Sequence, residues 1–65
     1  MSYPHYSALE KRRAIEREIA IRKRVYPNRV LTGRMKQAQA DRELALMEDI
    51  RADYARLEEA ERFIG

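Results

Sequence analysis

Sixty-five residues make at most one small domain, and a domain of this size has much surface for the core it can bury. The chain has no cysteine, which excludes disulfide staples and thiolate metal sites, so its stability must come from close packing or from association. Charged residues are 38% and hydrophobic residues 45% of the chain, too much patterned apolar character for a disordered chain, and the longest apolar stretches are only a few residues, so no membrane span is expected.

The net charge of +3 is unevenly spread. Residues 1–36 carry ten Lys/Arg against three acids, and residues 37–65 carry four Arg against eight acids. The two halves are therefore electrostatic complements, as an antiparallel helix pair or an antiparallel dimer would use.

Residues 1–6 read as a flexible N-terminal segment with no basic-then-apolar secretory pattern, which leaves a cytoplasmic protein as the expectation. A first helix then starts at Ser7, where Ser7-Ala8-Leu9-Glu10 has the form of a capping box. No breaker follows until Pro27, and proline disfavours helical geometry in the residue before it, so the helix is predicted over about 7–26. Ala8, Ile15, Ile19 and Tyr26 form its apolar stripe, with Ala14 and Val25 on one flank and Arg22 inside the stripe.

Residues 27–35 are predicted to connect the helices. Pro27 would open one extra turn, Gly33 would close it in the left-handed conformation, and Val30, Leu31 and Met35 would plug the end of the hairpin.

The second helix is predicted over about 36–63. Leu46, Ile50, Asp53, Leu57, Ala60 and Ile64 follow a 4-3-4-3-4 spacing, the regular seam of a helix packed on another helix. Folding the chain back at residues 30–33 sets Ile19 opposite Leu46, Ile15 opposite Ile50 and Ala8 near Leu57. In the same register Arg22 meets Glu43 and Arg12 meets Asp53. The expected fold is thus all-α, an antiparallel two-helix hairpin. Leu44, Met47, Tyr54 and Phe63 are left over as a second apolar surface, so a dimeric helical bundle is expected to complete it.

No constellation for catalysis, metal binding or a cofactor is evident. His5 is the single histidine. The acid pairs Glu48-Asp49 and Glu58-Glu59 point to different helix faces, and Ser2, Ser7 and Thr32 have no base beside them. The expected function is a protein–protein interaction or structural accessory module that binds itself or another protein through Leu44, Met47, Tyr54 and Phe63. It is expected to need no cofactor, membrane or small-molecule substrate. The alternative is a nucleic-acid-binding accessory protein, with Arg13, Arg17 and Arg24 as a cationic ridge following phosphates.

The runs Val25-Tyr26-Pro27, Gly33-Arg34-Met35 with Gln37-Ala38 and Ala40, Met47 with Ile50, and Tyr54 resemble a group of short proteins from phage and proteobacterial genomes. The signature spans about residues 15–56, and the resemblance implies a small accessory protein without assigning an activity. Such sequences carry Thr or Ser where this chain has Lys36, immediately before the second helix. That departure removes an N-cap acceptor.

Overall fold

The computed structural model describes residues 5–64, the side chain of Ile64 excepted. The expectations placed on residues 1–4, on Gly65 and on the Ile64 side chain lie outside the described residues. Two α-helices make up the fold: α1, Ala8–Leu31, and α2, Gln37–Ile64, packed as an antiparallel hairpin.

Helix α1 begins where its cap dictates. Ser7 is extended at φ −68°, ψ 158°, and its Oγ accepts a hydrogen bond from the Glu10 N–H at 3.1 Å. The predicted end near Tyr26 is corrected, since α1 runs through Pro27 to Leu31. Proline removes its own N–H from the ladder and crowds the carbonyl four residues back, a local cost that tertiary packing can offset. The turn that follows is fastened on both sides: Tyr26 is buried, Val30 is half-buried, and both line one groove with Pro27, Ala40 and Leu44.

The helix then stops in a Schellman arrangement. Arg34 N–H donates to the Arg29 carbonyl at 2.9 Å, and Gly33 N–H donates to the Val30 carbonyl at 3.1 Å. Thr32 donates from both its N–H and its Oγ1 to the Asn28 carbonyl. Gly33 sits at φ +78°, the left-handed conformation expected of it. Leu31 was expected to help plug the hairpin end, but it is 84% exposed; Val30 and Met35 are half-buried.

Among the described residues only Ala8, Ile19, Tyr26 and Ala40 are buried. Two of the four are alanines, so the core encloses little side-chain volume. The surface shows the consequence. A compact monomer of 7.8 kDa is expected to expose about 4,400 Å², whereas this chain exposes 5511 Å². Its radius of gyration is 15.1 Å, against about 11 Å for a compact chain of this length.

The helix register agrees with one expected charge contact and corrects the other. Arg22 lies 3.6 Å from Glu43, as the back-folded register requires. Arg12, however, pairs with Glu58 at 2.5 Å, not with Asp53, which pairs with Arg56 on its own helix. Leu46 and Leu57, expected to face Ile19 and Ala8, are 53% and 47% exposed.

Candidate docking face

The residues of α2 that turn toward α1 are Ala40, Leu44, Met47, Arg51, Tyr54 and Glu58, all buried or half-buried. They follow a 4-3-4-3-4 spacing of their own. The seam Glu43, Leu46, Ile50, Asp53, Leu57 lies one residue before members of that set, and is therefore rotated by about 100° around the helix. So α2 has two seams, and the one with larger aliphatic residues is the outer one.

Helix α1 shares this in part, with two large aliphatics on the outer side. Its inner seam is Arg12, Ile15, Ile19, Arg22 and Tyr26. One residue before each stand Lys11, Ala14, Glu18, Ile21 and Val25. Because the helices are antiparallel, a step back on both rotates both toward the same broad side. Two contacts mark that side: Arg22 to Glu43, and the Lys11 ammonium 5.7 Å from the centroid of the Tyr54 ring. Ile21 and Val25 line a shallow groove there with Glu18, Arg22, Tyr26 and Arg29. Ile21 is 44% exposed, and Val25 and Ile50 are half-buried. Together with Leu46 and Leu57 they form an apolar face on one broad side of the hairpin.

The opposite side is bound up in charge. Arg12 donates from Nε to Glu58 at 2.5 Å and from Nη1 to Glu16 at 2.8 Å. These bonds, the one to Glu58 foremost, hold the Arg12 guanidinium protonated well above its ordinary range. The same Arg12 bond keeps the Glu58 carboxyl below the usual carboxylate range. Lys23 reaches Glu48 at 3.7 Å, and Glu48 also accepts from Arg51 Nε at 3.1 Å. Closer to the apolar side, Arg22 donates to Glu18 at 2.8 Å and to the Tyr26 hydroxyl at 3.2 Å. The Glu18 bond is the main cause of its raised pKa.

No protein-family model, curated protein or solved structure matches this chain.

Of the four residues expected to form a free apolar surface, three are placed differently. Leu44, Met47 and Tyr54 are half-buried in the inner seam of the hairpin, and Tyr54 lies under Lys11. The reason is the rotation of α2 by about one residue: the side expected to pack on α1 faces outward, and the side expected to be spare faces α1. Phe63 alone stands free, 81% exposed. The residues that take over the outer face are Leu46, Ile50 and Leu57, with Ile21 and Val25 of α1. Ala40 and Ala8 were the available signal, since small residues mark where two helix backbones come close.

Arg13, Arg17 and Arg24 are exposed, and none of the ion pairs among the described residues uses them. Arg13 and Arg17 line an open depression of about 490 Å³ with Tyr6, Glu10, Lys11 and Ala14. His5 is exposed. No helix among the described residues is long and apolar enough to cross a membrane.

Proposed function

We propose that the chain is a protein–protein interaction module, acting by binding and not by catalysis, and that it docks through the outer face of Leu46, Ile50, Leu57, Ile21 and Val25. The observation that carries this reading is the second seam: Leu46, Ile50 and Leu57 of α2 repeat about 100° away from the seam that closes the hairpin, and Ile21 and Val25 of α1 stand on the same side. A helix facing solvent on that side has no use for such a repeat, whereas a helix with two neighbours needs both. This reading keeps the module a small cytoplasmic accessory protein, of the kind its resemblance to short phage and proteobacterial proteins implies.

Photo-crosslinking in cells tests it. A photoreactive residue at position 46 or 57 is expected to give a covalent protein adduct, and the same residue at position 52 on the opposite side is expected to give none. Equal adducts from both sides, or none from either, overturn the reading.

A second reading has one observation in its favour, the freedom of Arg13, Arg17 and Arg24 from ion pairs. Under it, the ridge holds the phosphates of a nucleic acid. Retention on DNA or RNA would then fall with added salt and with the triple change of these arginines to Gln. Absence of retention at low salt removes this reading.

A further inference from the structure

We propose that the occupant of the outer face is a second copy of this chain, packed so that α1 of each copy lies over α2 of the other with both hairpin tips at the same end. The inference rests on the interaction reading above and names its partner.

Area is the first support. The chain exposes 5511 Å², roughly 1,100 Å² more than a compact monomer of its mass. A standard protein interface takes about 800 Å² from each partner. The broad side of a body 47 × 26 × 16 Å across supplies that area, and the core of four buried residues gains a second layer.

The angle between the seams is the second. In a square four-helix bundle each helix touches two neighbours about a right angle apart. The two seams of α1 and the two of α2 are each about 100° apart, and the outer ones share one side.

Charge chooses the orientation. Helix α1 carries eight Lys/Arg against three acids, +5, and α2 carries four Arg against eight acids, −4. Two hairpins can pack face to face with the twofold axis along their length or across it. The crosswise axis stacks α1 on α1 and α2 on α2, so like charges meet. The lengthwise axis stacks each α1 on the other copy's α2 at the height it already holds against its own. At that height Ile21 meets Leu46 of the second copy, Glu18 comes beside Ile50, and Ala14 meets Asp53. Arg17, free of ion pairs within the hairpin, comes beside Asp49.

Sedimentation of the full chain over a range of concentrations, with spin labels for orientation, tests the proposal. The expected mass is twice 7.8 kDa at high concentration, and Leu46→Glu with Leu57→Glu is expected to weaken the dimer at least tenfold. The chain has no cysteine, so Arg34→Cys gives one label at each exposed tip and leaves both faces untouched. Lengthwise packing places the two labels within the span of neighbouring helices, which pack about 10 Å apart. Crosswise packing separates them by roughly the 40 Å length of a helix of this size. A monomer at every concentration, or a long label separation, overturns the proposal. If the chain is monomeric but position 46 crosslinks to a different protein, the second copy is wrong and the interaction reading stands. If position 46 crosslinks to nothing, both fall.

Discussion

The two broad sides of the hairpin are made from the same helices yet hold different chemistry. On one side Arg12, Glu16 and Glu58 close into a charged cluster, and Lys23, Glu48 and Arg51 make another. Between them lie Ala52 and Ala55, too small to anchor a partner. On the other side the charges Arg22, Glu18 and Glu43 satisfy one another near the midline, while Ile21, Leu46 and Leu57 remain 44–53% exposed. Ion pairs at a partly wet surface add little stability, so the first side locks register more than it holds the chain together. The second side carries apolar area that gains only when covered. One side ends the structure, and the other leaves it open.

The largest effect expected from this contrast is at Ile19, which is 5% exposed. Ile19→Ala is expected to cost about 2–5 kcal/mol, the range for removing a buried aliphatic side chain, and in so small a core that suffices to unfold the hairpin. Leu46→Ala is expected to leave the isolated hairpin within about 0.5 kcal/mol of the parent, as at an ordinary surface site. Denaturant titration of both variants at the lowest workable concentration checks the pair. A Leu46→Ala loss equal to that of Ile19→Ala at low concentration would mean that Leu46 faces inward and that the two sides have been exchanged.

The helices, the Ser7 cap, the left-handed Gly33 and the Arg22–Glu43 contact were legible in the sequence because each depends on spacing or on local chemistry. The rotation of α2 was not. Its two seams differ by one residue, and the outer one has the cleaner aliphatic repeat, so hydrophobicity alone favours the wrong side. What decides is the burial of Ala8 and Ala40, both under 3% exposed, together with the salt bridge from Arg12 to Glu58. Those depend on three-dimensional fit. The length of α1 was hidden for a related reason. Pro27 weakens the helix locally, but the burial of Tyr26 before it and the half-burial of Val30 after it keep the turn in place.

The tip affords a test that touches neither side. Gly33 has open space around the position of a Cβ, with nothing within 4 Å, so Gly33→Ala carries only the backbone penalty of its φ of +78°. That penalty is about 1–2 kcal/mol. A smaller gain, about 0.5–2 kcal/mol, is expected from Lys36→Thr, because Lys36 directly precedes Gln37, the first residue of α2, and cannot accept a hydrogen bond from the helix N-terminus. Thermal melts check both. Each should move hairpin stability and leave the relative loss caused by Leu46→Glu and Leu57→Glu in self-association unchanged. No rise in melting temperature for Lys36→Thr would show that α2 is capped elsewhere.

The smallest expected effect is on the charged side and depends on pH. The hydrogen bond from Arg12 lowers the Glu58 pKa in the folded chain. A carboxylate with a depressed folded pKa contributes its stability above the unfolded value, about 4.3 for Glu, and loses it as pH falls through the lower folded value. Glu58→Gln should therefore melt below the parent at neutral pH, by a margin kept small by solvent screening. Below the carboxylate range the two melting curves should converge, because the parent's Glu58 is then protonated as well. Leu46→Ala, on the opposite side, should run parallel to the parent across the same pH range when both are monomeric. A constant gap between Glu58→Gln and the parent down to pH 2 would locate the Glu58 contribution in packing against Arg12, not in its charge.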